Sequence, residues 1–319
     1  MLIPCYNEAQ TIYNVVVGMR EALPNATIYV YDNNSDDMTA ELAKQGGAVV
    51  RHECRQGKGN VIRTMFREIE ADCYLLVDGD DTYPVENAKA MCDLVLSKKA
   101  DMVIGDRSST YCKENKRIFH NAGNALVKRM INFFWDADIT DVMTGYRAFS
   151  PMFVKSFPIV ARGFEIETEM TVHALDKNLI IASIPVKYRD RPVGSVSKLN
   201  TYIDGLKVIR AIFDLYRNYK PMSFFGFVSV MLLMISLTLF FPIMEYYIVY
   251  GTVPRFPTLF VSLVLGLASF LACVCGLILS TNVQNSRRNI EVQMNIIQMN
   301  LNIDSKIKNI ADGENRCRE

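Results

Sequence analysis

Along the first two-thirds of the chain, short apolar runs rich in strand-forming residues alternate with stretches whose apolar positions recur every three or four residues. Thr27–Asp32 (TIYVYD) reads as a strand that ends in the polar cluster Asn33–Asp37. Met38–Gln45 has helical spacing and stops at Gly46-Gly47. Ala48–Glu53 is the next strand, and Asn60–Ile69 sets Val61, Met65, Phe66 and Ile69 on one helical face. Cys73–Asp81 is a buried strand running into acids, Ala88–Leu96 a helix, and Asp101–Arg107 a further strand. Ahead of these, Leu2–Glu8 (LIPCYNE) begins directly at Met1 without a signal-peptide pattern; either the first strand is short or the sequence starts inside it.

Strands alternating with helices at this spacing predict parallel βαβ units with helices on both faces of the sheet. In such sheets ligands bind beyond the carboxyl ends of the strands. The polar residues fall there: Asn7 and Glu8, Asp32–Asp37, Asp78–Asp81, and Asp106 with Arg107. Ordinary polar turns would explain any one group; four together predict one polar crevice.

The pattern changes after residue 220. Ser223–Phe241 and Thr258–Thr281 are uncharged and each is about as long as a helix needs to cross a bilayer. Lys207, Arg210, Arg217 and Lys220 precede the first run, Arg287 and Arg288 follow the second, and Pro242–Pro257 links them. The positive-inside rule then predicts a multi-pass integral membrane protein whose α/β part and both termini are cytoplasmic. The expected organisation is an α/β domain over residues 1–200, an interfacial helix over 201–221, two spans within 222–282 and a polar tail over 283–319 that a helix would suit. Ala125–Trp135 and Tyr202–Tyr219 mix basic with aromatic and aliphatic residues, which suits either the headgroup layer or packing on the sheet. In the tail, Ile290, Met294, Ile297, Leu301, Ile303, Ile307 and Ile310 suit a helix packed on another subunit, a possible homo-oligomer contact.

Composition adds little beyond this division. The net charge of +1 gives no reason to expect a nucleic-acid partner. The eight cysteines, at 5, 54, 73, 92, 112, 273, 275 and 317, show no CxxC spacing and read as reduced thiols. His52, His120 and His173 lack HExxH spacing, and Gly57-Lys58-Gly59 is too short for a phosphate-binding P-loop. The strongest local signal is Asp78-Gly79-Asp80-Asp81. Carboxylates one residue apart on a turn can face a divalent ion and leave positions for diphosphate oxygens, although an acidic turn or helix cap before Pro84 has the same residues.

Five blocks in order now carry a resemblance: Pro4-Cys5-Tyr6-Asn7-Glu8; Asp32 with Asn34-Ser35-Asp36-Asp37; Asp78-Gly79-Asp80; Asp141–Arg147 (DVMTGYR); and Arg191–Lys198 (RPVGSVSK). They span residues 1 to about 200, and the chain resembles family 2 glycosyltransferases of GT-A fold. The similarity is to the branch of dolichol-phosphate mannose synthases and bacterial polyprenyl-phosphate glucosyltransferases. It implies a Rossmann-like, mainly parallel mixed sheet followed by a two-helix transmembrane hairpin. It also implies sugar transfer from a nucleotide-sugar donor to polyprenyl or dolichyl phosphate at a lipid bilayer, with inversion. Pro4, Tyr6, Glu8 and Asp32 would hold the nucleoside, and Asp78, Gly79 and Asp80 would form the DXD motif that holds Mg²⁺ or Mn²⁺ on the diphosphate.

A lipid monophosphate is mostly dianionic at neutral pH, so its oxygen is already nucleophilic and the enzyme must chiefly supply positive charge. Arg107, Arg117, Arg191 and Lys198 are the candidates, Arg117 equally suiting a solvated helix face. Asp141 heads a block where relatives carry an acid beside the reacting centre; it orients the sugar or acceptor or serves as base, positioning being favoured. Thr144-Gly145-Tyr146 reads as a turn that brings backbone close to the donor sugar. Glu167 and Glu169 suit either a helix cap or the site. Relatives specific for mannose commonly carry an amide where Thr82 stands, which leans towards UDP-glucose or UDP-N-acetylglucosamine over GDP-mannose. Two rivals are a processive polysaccharide synthase, whose Gln-x-x-Arg-Trp motif is absent around the single Trp135, and an inactive membrane-anchored nucleotide-sugar sensor or scaffold.

Overall fold

The computed structural model describes residues 1–108, 118–159, 166–189, 213–214, 216–253 and 255–316. The chain forms two compact units, one of residues 1–209 with 291–319 and one of residues 210–290.

In the first unit, β1 (Leu2–Cys5), α1 (Ile12–Ala22), β2 (Tyr29–Asp32), α2 (Thr39–Gln45), β3 (Val49–His52), α3 (Lys58–Glu68) and β4 (Tyr74–Leu76) alternate, and all but α1, a helix the sequence reading did not mark, correspond to predicted segments. Then come α4 (Ala88–Leu96), β5 (Met102–Asp106), α5 (Ile118–Trp135), β6 (Arg147–Phe149), α6 (Pro151–Ser156), α7 (Ile166–Asp176) and β7 (Ile181–Pro185). The seven strands order as β3-β2-β1-β4-β6-β5-β7. All described pairings are parallel except those of β6, which runs antiparallel to both β4 and β5. The sheet is therefore the mainly parallel, mixed one that the resemblance implies.

The register brings the chemistry to one edge. Cys5 lies opposite Asp32 and Asp32 opposite His52, so the three neighbouring strands end level. Strand β6 enters between β4 and β5 with Arg147 opposite both Leu76 and Ile104, delivering the Asp141–Tyr146 loop beside the end of β4. Apolar faces of the helices close over the sheet: Ile12, Val15, Val16 and Met19 of α1, and Val61, Ile62, Met65 and Phe66 of α3, are buried. Behind β6, Phe149 stacks on Phe153 at 4.6 Å and meets Phe66 edge-on at 5.7 Å. Helix α5 buries Val127 and Ile131 while Phe133 stays 81% exposed, so the Ala125–Trp135 segment packs one face and displays an aromatic on the other.

In the second unit, α8 (Pro221–Tyr250) runs nine residues beyond the expected end at Phe241. Pro242 lies inside it, where the sequence pattern suggested a stop; the apolar and aromatic run to Tyr250 continues the helix past the proline, which uncharged membrane-type helices tolerate. Gly251, at φ 69°, ends it in a left-handed cap. Helix α9 (Phe256–Arg316) begins in this unit near the second expected run and continues through the tail, whose residues from 291 on group with the first unit, so residues 283–316 are helical. Both helices are long and apolar enough to cross a membrane, and only 6% and 17% of their most apolar windows are buried within the protein. Ser236 Oγ donates to the Ser262 carbonyl at 2.7 Å and Ser269 Oγ to the Ser229 carbonyl at 2.8 Å, pairing the two helices as a hairpin. Of the interfacial helix expected over 201–221, residues 213–214 and 216–219 are helical, and the rest up to 212 lies outside the described residues.

Candidate active site

The loops after β1 and β2 are laced together by side chains. Asn7, Asn34 and Asp81 adopt positive φ (51°, 62° and 57°), a conformation that Asn and Asp tolerate better than other side-chain-bearing residues. The Asn7 amide donates to Ser35 Oγ (2.9 Å), the Glu8 amide to Thr39 Oγ1 (2.9 Å) and the Ala9 amide to Asp37 Oδ2 (3.1 Å). The Asp36 amide returns the contact to Asn7 Oδ1 at 2.9 Å. Glu8 also caps α1, its carbonyl accepting from the Thr11 and Ile12 amides. The expected nucleoside residues Pro4, Tyr6 and Glu8 are half-buried at this edge, and Asp32 is buried beside them. Asp32 Oδ2 meets the Ser35 amide and His52 Nδ1, both at 3.3 Å, whereas buried Oδ1 has no hydrogen-bond partner. An orphaned buried acceptor is costly in water's absence, and a hydroxyl or amine of a ligand would satisfy it.

Asn33 fixes the next loop. Its amide nitrogen donates to the Glu53 and Arg55 carbonyls (2.8 and 2.9 Å), and its oxygen accepts from the Gly57 amide at 2.7 Å. Gly57 sits at φ 124°, which only glycine adopts freely, and the turn it makes starts α3 at Lys58. Lys58 Nζ lies 2.6 Å from both Asp78 Oδ1 and Glu167 Oε1. Burial alone would pull the ammonium down, but the two carboxylates more than offset this, so its pKa is raised and it stays cationic. Glu167 Oε2 is buried without a hydrogen-bond partner.

The acidic run is shaped by the absence of two side chains. A Cβ on Gly145 would stand 2.3 Å from Asp78 Oδ2, and one on Gly79 2.7 Å from Cys5 Sγ. Thr11 Oγ1 donates to the Gly79 carbonyl at 2.6 Å, tying α1 to this turn. Asp80 is buried, and its Oδ1 accepts from Thr82 Oγ1 (2.6 Å) and the Thr82 amide (3.3 Å). Thr82 therefore orients Asp80.

Arg107 and Asp141 meet as a buried bidentate pair. Nε and one terminal nitrogen of Arg107 lie 2.7 and 3.0 Å from the two Asp141 oxygens, with the side chains 7% and 2% exposed. Burial pushes the Asp141 carboxyl up, and the hydrogen bonds and charge of Arg107 outweigh it, leaving the pKa below the usual value. The guanidinium also lies over the Tyr188 ring at 5.3 Å. Arg147, fully buried, binds the loop's own carbonyls: Nε to Thr144 O (3.0 Å) and a terminal nitrogen to Val142 O (2.6 Å), the other reaching Thr171 Oγ1 at 2.9 Å. The Gly145 amide donates to the Tyr83 hydroxyl at 3.0 Å. These bonds hold the loop that carries Asp141 against the carboxylate of Asp78.

The structure thus gathers Asp78, Gly79, Asp80, Asp141 and Arg107 around the ends of β4 and β5, with Pro4, Tyr6, Glu8 and Asp32 around β1 and β2. Arg117, Arg191 and Lys198 lie outside the described residues. Tyr83 is not marked by the sequence, Lys58 enters there only in a Gly-Lys-Gly run too short for a P-loop, and Arg147 only as the end of a motif block; the glycines flanking Lys58 are the available signal, since they mark a turn at a strand end.

Residues 1–157 match the family model for glycosyl transferase family 2. Glycosyltransferase AglJ of Haloferax volcanii is 33% identical over 230 residues, covering 72% of this chain and 75% of that protein. A dolichyl-phosphate hexose transferase of the same organism is 27% identical over 65% of this chain and 89% of its own length. Among solved structures, glucosyl-3-phosphoglycerate synthase from Mycobacterium tuberculosis, in complex with Mn²⁺, UDP and phosphoglyceric acid, superposes with a TM-score of 0.53 at 19% identity. That match covers 67% of this chain and 76% of the synthase, and it establishes the GT-A fold. With that fold, and with relatives of this kind, the protein is a glycosyltransferase. The chain belongs to glycosyltransferase family 2.

Proposed function

We propose that this glycosyltransferase moves one sugar from a nucleotide-sugar to a polyprenyl or dolichyl phosphate, at a membrane in which the hairpin α8–α9 is embedded. The observation that carries the donor half is the cluster at the end of β4, where Asp78 is pressed against Gly145 beside Lys58 and Asp80 is oriented by Thr82. The acceptor half is supported by the relative named for dolichyl phosphate and by two exposed apolar helices in the same chain.

The carboxylates suit a hard divalent cation. Asp78 and Asp80 offer oxygen only, and among the described residues no three His, Cys, Asp or Glu side chains close a cage, so remaining positions would fall to donor oxygens. Mg²⁺ or Mn²⁺ held by Asp78 and Asp80 would offset charge on the departing nucleoside diphosphate. Asp32 Oδ1, buried and without a hydrogen-bond partner, would accept a hydrogen from the base or ribose, as would Glu8, with Tyr6 packing on the base. UDP-glucose and UDP-N-acetylglucosamine are favoured over GDP-mannose.

In the reaction, an oxygen of the lipid phosphate dianion attacks the anomeric carbon as the bond to the diphosphate oxygen breaks. The electron pair leaves with the nucleoside diphosphate, no proton need be removed, and the anomeric configuration inverts. Asp141 is kept ionised by Arg107 and fixes that guanidinium, a positioning role that fits an acceptor needing no base. Arg107, with Arg117, Arg191 and Lys198, would hold the acceptor phosphate in line. The termini and the catalytic unit would face the cytoplasm, as the basic flanks of the hairpin suggest.

The test is transfer of labelled sugar from a panel of nucleotide-sugars to polyprenyl phosphate in detergent, with and without EDTA. Label should enter the organic phase with one donor class, and both EDTA and Asp80→Ala should abolish it. Label remaining water-soluble with every donor sinks the enzyme reading, and full activity of folded Asp80→Ala sinks the metal assignment.

A further inference from the structure

The end of the hairpin at which the chain enters α8 holds a half-open hollow of about 200 Å³. Its polar lining comes from both helices and the turn before them: Tyr219, Lys220 and Ser223 on one side, Ser280, Gln284 and Arg287 on the other. Lys220 is the last charged residue before the uncharged run of α8, and Arg287 is the first charged residue of α9, thirty-one positions into that helix. The first charges flanking two separate apolar runs therefore converge on one recess. At about 1.5 Å per residue, the uncharged run from Phe256 to Ser286 spans roughly 45 Å, which places Arg287 at headgroup depth if the apolar stretch fills the hydrocarbon layer. The recess is also where the first turn of α8 opens, and the positive end of a long helix dipole favours an anion there.

Arg288, the next charge along α9, does not line the cavity. Basic flanks placed only to set orientation would need no recess, no hydroxyls and no convergence of the two helices. Two cations, a tyrosine, two serines and an amide around a small hollow make the donor-rich lining that a phosphate group requires.

We propose that this recess binds the phosphate of a lipid headgroup, pinning the base of the hairpin at the membrane surface. The shared chemistry is a lipid-borne phosphate; its source is either an anionic phospholipid of the bilayer or a polyprenyl phosphate. The inference rests on the membrane reading of the hairpin but not on the catalytic assignment.

The test is native mass spectrometry of the full chain in non-ionic detergent, titrated separately with phosphatidylglycerol, phosphatidylcholine and undecaprenyl phosphate. At least one anionic lipid should bind more tightly than phosphatidylcholine, and Lys220→Gln/Arg287→Gln should weaken that binding about tenfold or more. Ser280→Phe, which fills the recess with the charges intact, should weaken it comparably, whereas Arg288→Gln should leave it within about twofold. The anionic lipid whose adducts depend on these variants names the source. Equal binding by wild type and both recess variants overturns the proposal, as does an Arg288→Gln loss equal to that of the double variant, which would show net charge alone at work. A chain that stays monodisperse without detergent would refute the membrane reading and this site with it, while leaving sugar transfer to be judged by its own assay.

Discussion

Gly145→Ala is the sharpest probe of the donor cluster, because it adds one methyl group where the Asp78 carboxylate lies. The new Cβ would stand 2.3, 2.8 and 2.9 Å from Oδ2, Cγ and Oδ1 of Asp78. Gly145 does not have a left-handed φ, so alanine is compatible with the backbone and the conflict is confined to the side chain it meets. Ordinary contact requires the carboxylate to retreat by about 1 Å, and a displacement of that size at a reacting centre typically costs about 10²-fold in rate, or about 2.7 kcal/mol. The retreat is opposed by Lys58, which is held 2.6 Å from both Asp78 and Glu167 and cannot follow without leaving Glu167. Gly226→Ala is the control, since no heavy atom lies within 4 Å of its Cβ. Initial rates of sugar transfer at saturating acceptor should fall about 100-fold for Gly145→Ala and stay near wild type for Gly226→Ala. A Gly145→Ala protein that unfolds like wild type and transfers sugar within twofold of it would refute the assignment of Asp78.

Three further outcomes follow from the same geometry. Asp141→Asn leaves Arg107 buried without its counter-charge and should cost about 3–5 kcal/mol in denaturant unfolding, whereas Arg107→Met/Asp141→Leu should recover much of the stability and none of the turnover. Lys58→Met leaves the Asp78 and Glu167 carboxylates facing each other, and should lower kcat/KM for the donor at least about tenfold at fixed metal concentration. His173 is pushed down to about 4, first by burial and then by Lys177, so the folded state holds the neutral ring while the unfolded chain protonates near 6.5. Stability should therefore be full above pH 6.5 and be lost as pH falls towards 4, by about 2 kcal/mol at pH 5, and His173→Phe should flatten that part of the profile.

The parallel half of the sheet was legible because each strand ends in a turn whose residues are chosen for it: Asn7, Asn34 and Asp81 supply positive φ, and Gly46-Gly47 stops a helix. Strand β6 was hidden within the DVMTGYRAF stretch, since three residues buried on both faces carry no alternation. Arg147 was unreadable for the same reason, as nothing local says that a charged residue at a strand start will turn inward to bind carbonyls of its own loop. Lys58 reaches Glu167 across 109 residues, a contact that only the folded sheet creates. The hairpin was legible as two uncharged runs, but its bounds were not, because Pro242 reads as a stop in water and as a tolerated interior residue in an apolar helix.

The most direct test of sugar transfer to a lipid phosphate is the identity of the lipid product. The full chain in detergent, given undecaprenyl phosphate and its preferred nucleotide-sugar, should yield by mass spectrometry one new lipid species carrying a single sugar on the phosphate. Nucleoside diphosphate should be released in equal amount. A ladder of products bearing several sugars would point to a processive synthase, and release of free sugar with the lipid unchanged would contradict the acceptor assignment altogether.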